Sequence, residues 1–141
     1  MSAASNKRVI REIGEHVFVT GDLDALDALV AEDYLDHDPG LPPGLPPGRA
    51  GYKAMLAQLR AAFPDLEVTI EDQVAEGDKV VTRYTMRGTH QGELWGIPAS
   101  GNRLELQGIN IDRVVDGRFC ERWAAYDAGE LMRQLGVRRP G

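Results

Sequence analysis

At Pro64-Asp65 the spacing of apolar residues changes character, and this change constrains the fold more than any other feature. Before it, apolar residues recur every three or four positions, the period of a helix with one buried face. Ile10, Ile13 and Val17 mark a helix over about Asn6 to Thr20, with Ser5 or Asn6 as its cap. Gly21 breaks that pattern. Asp22 is placed to cap a second helix to about Val30, carrying Leu23, Leu26, Leu29 and Val30. A short extended piece follows at Tyr34–His37. A third helix over about Arg49–Phe63 has Tyr52, Met55, Leu56, Leu59, Ala62 and Phe63 as its stripe, and Pro64-Asp65 stops it. After that point the period is two. Leu66, Val68 and Ile70 alternate with Glu67, Thr69 and Glu71. Further strands are predicted over Lys79–Arg87, Arg103–Val115 and Arg118–Tyr126, the last two joined by an Asp116-Gly117 hairpin turn. A short helix over Ala128–Leu135 ends at Gly136. Helices first and strands afterwards predict an α+β fold with an antiparallel sheet, not a βαβ fold. Four strands this long favour a strongly curved sheet wrapped around the helices. Within Arg103–Val115 the apolar parity slips from Leu104 and Leu106 to Ile109 and Ile111, which predicts a β-bulge at Gln107-Gly108.

The 141 residues predict a single domain over 1–141, with a tail at 137–141. Inside it, residues 39–48 carry the tetrapeptide Leu-Pro-Pro-Gly twice in tandem. Proline fixes φ and lacks an N–H donor, so this segment is a loop with extended pieces. Twenty-two acidic against sixteen basic residues give a formal charge of −6. Phosphate binding needs concentrated positive charge, and Arg138-Arg139 is too short to supply it, so nucleic acid is excluded as a partner. No apolar run approaches the ~18 residues of a membrane span. The opening MSAASNKRVIREIGEHV carries charges where a signal peptide needs its apolar stretch, which predicts a cytoplasmic protein. Cys120 stands alone, so neither a disulfide within the chain nor a cysteine-based metal cluster is expected.

The three histidines, His16, His37 and His90, do not share metal-ligand spacing, so no metal is expected. His37 lies between Asp36 and Asp38. It reads either as a general acid or base tuned by those carboxylates or as a loop-entry residue serving the local backbone. His90, in GTHQG, reads as a substrate contact or a turn residue, and His16 as a residue of the helix surface. Arg83 stands mid-strand among Val80, Val81 and Tyr84, and must reach solvent or meet a carboxylate, with Glu121 and Asp127 as the obvious partners. The pairing is either structural or part of a polar constellation in an apolar cavity. Asp127 has a third reading, as N-cap of the last helix. Trp95 and Trp123 are core or pocket wall. Asn110, between two isoleucines, is an edge residue or a hydrogen-bonder in a pocket.

Together, DKVVTRYTMRGTHQGELWGIPASG, GINIDRVVDGRFCERW and AAYDAGELMRQLG resemble the SnoaL-like polyketide cyclase family, and FPDLEVTIED and DYLDHDPG fit it as well. The resemblance runs from about Lys7 to Gly136. It implies the cone-shaped α+β barrel of the nuclear transport factor 2-like superfamily, enclosing an apolar cavity for a hydrophobic polyketide-like small molecule. It also implies a homodimer formed through the sheet. In the founding cyclases an Asp on the last strand drives an aldol ring closure, helped by a His on the preceding strand, with no cofactor. Anchored on Asp116-Gly117 and Gln134-Leu135-Gly136, those positions are Ala124 and Asn110 here, and neither functional side chain is present. The chain in this respect resembles the branch that assists hydroxylation of aromatic polyketides, and a non-catalytic ligand-binding role is a further alternative. With Ala124 in place of the carboxylate, the catalytic candidates are His37, Glu121, Asp127 and Arg83. Asn110, Trp95, Trp123, Tyr84, His90 and Phe63 are the candidate substrate contacts. The doubled Leu-Pro-Pro-Gly loop is expected at the cavity mouth, its leucines touching substrate.

Overall fold

A computed structural model describes residues 2–137, so the tail beyond Val137, with Arg138-Arg139, lies outside the described residues. The chain opens with α1 (Ala3–Arg11), passes through a π-helical stretch, Glu12–Val17, and ends this rod with α2 (Phe18–Thr20). Ser2, not Ser5 or Asn6, is the cap: its side chain accepts from the Ser5 backbone while Ser5 reciprocates. Gly21, at φ 74°, ends the rod. The predicted second helix is shorter than expected. It consists of a 3₁₀ turn, Leu23–Ala25, and α3 (Leu26–Leu29), and Asp22 makes no side-chain cap. Val30 has already turned extended, because β1 (Val30–Asp36) absorbs the segment that follows. The third helix is α4 (Gly48–Ala62). The strands are β2 (Glu67–Glu76), β3 (Lys79–Thr89), β4 (Arg103–Val115) and β5 (Arg118–Tyr126), and α5 (Ala128–Gln134) closes the fold.

The sheet has five strands in the order β1-β5-β4-β3-β2. It is mixed, a correction to the antiparallel expectation: β1 runs parallel to β5, and the other pairings are antiparallel. The parallel pair arises because α4 separates β1 from the meander that follows, so β1 returns to the sheet from the helical side. The Asp116-Gly117 turn forms as expected, with φ 53° and 76°. The predicted bulge at Gln107-Gly108 is absent: β3 and β4 pair without a break from Lys79–Arg113 to Thr89–Arg103. Leu104, Leu106, Gly108, Asn110, Asp112 and Val114 therefore all face one side, and Ile109 and Ile111 face the other. Bulges occur instead at Glu71 in β2 and at Cys120 in β5.

The helices pack on the inner face of the sheet. The predicted stripe of α4 is buried, with Leu56, Ala62 and Phe63 fully so, against Val17, Leu26, Val30 and Leu66. Each large apolar side chain buried this way contributes about 1.5–3 kcal/mol. Tyr34, Tyr52 and Phe119 meet edge to face at 5.0–5.7 Å and knit β1, α4 and β5 together. Backbone N–H groups of Gln91 and Gly92 donate to the Ala62 carbonyl, tying the β3–β4 loop to the end of α4. A Cβ at Gly92 would overlap the Ala61 carbonyl oxygen, so only glycine permits that approach.

Candidate active site

Between helices and sheet lies a cavity of about 120 Å³. Engineered apolar cavities of roughly 150 Å³ take up benzene, so this one is of ligand size, not a packing flaw. Most of its wall is apolar: Ile10, Ile13, Met55, Leu59, Phe63 and Leu106 among others. Gly14, in the π-helical stretch, brings bare backbone to the wall, where an added Cβ would stand 3.3 Å from Ile70 Cδ1. Trp95 enters from the β3–β4 loop at φ 45°, a strained value for a bulky residue, and its Nε1 donates to Gln58 Oε1 at 2.6 Å. Leu41, from the first Leu-Pro-Pro-Gly repeat, also lines the cavity, while Leu45 packs on the core.

The polar part of the wall is a block of the sheet's inner face. Strand register sets out three rows across β3, β4 and β5: Tyr84–Gly108–Tyr126, then Thr82–Asn110–Ala124, then Val80–Asp112–Arg122. β1 sets Asp36 behind this wall, in register with Arg122, and the chain just beyond it adds Asp38 to the wall itself. Arg122, only 9% exposed, donates from Nε and Nη2 to Asp36 Oδ2 at 3.1 and 2.7 Å. Its Nη2 stands 3.7 Å from Asp38 Oδ2, and its guanidinium lies 5.9 Å from the Tyr52 ring centre. The Tyr34 hydroxyl donates to Asp36 at 2.5 Å. Asp38 Oδ1 accepts from the Gly40 N–H at 2.8 Å and from the Tyr126 hydroxyl at 3.3 Å.

Asp112 stands apart from this saturated network. It is 3% exposed, and its Oδ1 has no hydrogen-bond partner among the described residues. Two carboxylates already share the one guanidinium, so little positive charge is left for a third. Burial pushes Asp112 up to about 7, with Arg122 pulling the other way and Asp36 adding to the rise. Asn110, one step along the same face, also has a buried amide oxygen without a partner. Burial likewise raises Tyr84, and raises Tyr126 to about 12 with help from Asp38. Among the described residues no three His, Cys, Asp or Glu side chains are grouped to hold a metal ion.

Of the expected site residues, the structure brings Asn110, Tyr84, Trp95 and Phe63 to the cavity. Three others converge elsewhere, near the β1–β5 edge on the opposite face of the sheet. His37 Nε2 lies 2.7 Å from Glu121 Oε2 and its ring stacks on Trp123, centres 5.0 Å apart, planes 18° apart. Glu121 also approaches Arg113 at 3.6 Å. Arg83 is exposed on that same face, and neither Glu121 nor Asp127 is its partner. Asp127 caps α5, accepting from the Glu130 N–H at 2.9 Å. His90 is fully buried beneath the β3–β4 loop, where Nδ1 meets Ser100 and the ring lies 5.4 Å from Phe63; it does not line the cavity. Sequence reasoning missed Asp112, Arg122, Asp38 and Tyr126. Asp112 shares its parity with Leu104 and Leu106, so unbroken alternation would have marked it.

Comparison with known proteins agrees with this architecture. The family model described as SnoaL-like polyketide cyclase matches residues 8–135. The aklanonic acid methyl ester cyclase DauD of Streptomyces sp. (strain C5) is 30% identical over 124 residues, spanning 83% of this chain and 73% of that protein. TsrD of Streptomyces laurentii superposes with a TM-score of 0.87 at 32% identity, covering 98% of this chain and 99% of that one. IdmH of Streptomyces antibioticus is 37% identical with a TM-score of 0.76, covering 94% and 99%. The open, curved α+β architecture and the match along nearly the whole chain place this protein in one group: it belongs to the SnoaL-like polyketide cyclase family.

Proposed function

We propose that this protein is a cofactor-independent enzyme that closes a ring in a hydrophobic polyketide-like molecule by aldol-type acid–base chemistry, with Asp112 as the acid/base group. The observation that carries the reading is a buried carboxyl, without a hydrogen-bond partner on one oxygen among the described residues, on the polar block of a largely apolar cavity wall, where burial raises it to about 7. Such a group takes a proton from an acidic C–H and returns it, because both of its forms are populated at working pH. It stands two residues along β4 from Asn110 and opposite Arg122, so the carboxyl occupies a different corner of the wall from the Ala124 position. Arg122, locked by Asp36, sets the local potential without itself being free to pair with Asp112. Asn110 offers a carboxamide to a substrate oxygen or hydroxyl.

The test uses aklanonic acid methyl ester, the compound for which the relative DauD is named. Product analysis is expected to show a ring-closed isomer, with kcat/KM rising through about pH 7. Asp112→Asn is expected to lose at least ~100-fold in kcat, the scale of a lost acid/base group. His37→Ala, Glu121→Gln and Asp127→Asn are expected to keep that chemistry. A product that gains oxygen points to the hydroxylation branch, and binding without turnover points to a carrier. We further propose that the protein works as a homodimer joined through the outer face of the sheet, on the strength of the apolar residues exposed there.

A further inference from the structure

The Tyr84–Gly108–Tyr126 row is an unusual piece of sheet. A glycine in the middle of a strand costs stability and packs nothing, so its presence between two tyrosines needs a cause. The cause is geometric. A Cβ at Gly108 would overlap the Tyr84 hydroxyl and would lie 2.6 Å from its Cζ and 3.0 Å from Cε1. The Tyr84 ring is therefore folded across β4, with its hydroxyl directly over the Gly108 backbone. The two tyrosines then differ. The Tyr126 hydroxyl is engaged by Asp38. Tyr84 lines the cavity, and its hydroxyl makes no hydrogen bond among the described residues.

We propose that the Tyr84 hydroxyl, seated over Gly108, is the donor to the substrate oxygen that becomes negative during ring closure, and that Gly108 is its positioning residue. This rests on the acid–base reading of Asp112 for its chemical step. The C–H bond breaks and its proton passes to the Asp112 carboxylate. The carbanion forms the new C–C bond with the carbonyl carbon. The carbonyl π pair moves onto oxygen, which takes the Tyr84 proton. Asp112 then releases its proton to solvent and the Tyr84 phenolate takes one from solvent, so the protons balance, the product is an isomer of the substrate and no other reactant is consumed. Asp112 and Gly108 are four residues apart on one strand face, roughly 13 Å at 3.4 Å per residue. The substrate lies between them across Asn110 and the bare Ala124, folded so that its C–H acid carbon and acceptor carbonyl carbon are in contact, the C–H directed to the Asp112 side and the carbonyl oxygen to the Tyr84 side. A buried phenol stays protonated across the working pH range, so its donor is always present.

The experiment separates the donor site from the reaction. Wild type, Tyr84→Phe and Gly108→Ala are titrated at pH 6 with 2-hydroxy-1,4-naphthoquinone, an anion that mimics an enolate, and with naphthalene. Binding is followed by quenching of cavity Trp95, with Trp123 on the outer face as the unquenched background. Wild type is expected to bind the anion more tightly than naphthalene. Tyr84→Phe is expected to weaken the anion about tenfold and to leave naphthalene unchanged. In turnover of aklanonic acid methyl ester, Tyr84→Phe is expected to lower kcat by ~100-fold or more with KM unchanged. Gly108→Ala is expected to reproduce both losses. Equal binding of the two probes by wild type, or an anion affinity untouched by Tyr84→Phe, overturns the donor. A preserved tenfold effect on the anion with no turnover by wild type keeps the donor site and rejects the cyclase reading.

Discussion

Asp112 has a stability consequence whose sign is fixed by its environment. Its folded pKa of about 7 lies above the ordinary ~3.9 of an unfolded chain. Between these values the folded state binds more protons than the unfolded one. The contribution is therefore fully present below about pH 4, is lost as pH rises to about 7, and is level above that. At about 1.4 kcal/mol per unit the difference is a few kcal/mol. Asp112→Asn removes the penalty of burying a charge. Its Tm is expected to exceed that of wild type by about 5–10 °C at pH 8 and to match it near pH 4, measured by calorimetry across that range. A gap independent of pH contradicts a buried, near-neutral carboxyl. The ionisation that makes the protein less stable is thus the same one that the proposed acid–base role requires. That coupling is what separates Asp112 from Asp36, whose charge is met by Arg122 and the Tyr34 hydroxyl.

The loop between β1 and α4 shows how an element shapes the cavity without belonging to helix or sheet. It begins at Asp38, which accepts from Gly40 and Tyr126, and a Cβ at Gly40 would overlap the Tyr126 hydroxyl. This anchoring fixes where Leu41 enters the cavity wall, while Leu45 packs on the core. The two repeats, identical in sequence, therefore do different things. Leu41→Ser is expected to change affinity and selectivity among hydrophobic ligands several-fold, because Leu41 lines the cavity. Leu45→Ser, which removes a comparable core contact but no cavity wall, is expected to leave selectivity alone; the reverse pattern would sink the assignment. The elements themselves were largely legible in the chain. Period and turn chemistry placed α4, β4, β5 and the Asp116-Gly117 hairpin within a residue or so, since each follows from local spacing. The pairing of β1 was not legible, because a parallel partner across an intervening helix leaves no local mark. The site was only partly legible for a related reason. The bulge expected at Gln107-Gly108 leaves the inward face beyond it unassigned by alternation, so nothing marks Asp112 as inward. The chain in fact keeps its register and exchanges polarity between faces: polar groups go inward to the cavity, apolar ones outward. A sequence that places polar residues inside defeats the rule that locates the inside. His37, marked in the sequence by its flanking carboxylates, and Glu121, marked as a partner for Arg83, do come together with Trp123, but on the outer face.

At the scale of the molecule, the outer face is where that exchange of polarity has to be explained. Val74, Val81, Ile111 and Trp123 lie in one row across β2, β3, β4 and β5, and Ile109 stands in the next. Ile109 is 48% and Ile111 40% exposed, more than isolated apolar residues on a sheet require. Charges border the row: Asp72 and Arg83 on one side, Arg113 and Glu121 on the other, with His37 stacked on Trp123 at its end. An apolar centre with a polar rim is the anatomy of a protein–protein interface, and a two-fold axis through a sheet face lets one patch cover itself. The cavity opens on the opposite face, so association through this row leaves it free. Ile109→Asp combined with Ile111→Asp places four carboxylates against one another across a two-fold axis at the centre of the patch, where they repel and must lose water. Light scattering after size exclusion is expected to report a dimer for wild type and a monomer for the double variant, and binding of 2-hydroxy-1,4-naphthoquinone is expected to change less than twofold. A double variant of unchanged mass would mean that the row is covered by nothing, and a monomer that also loses the ligand would mean that the two faces of the sheet are not independent.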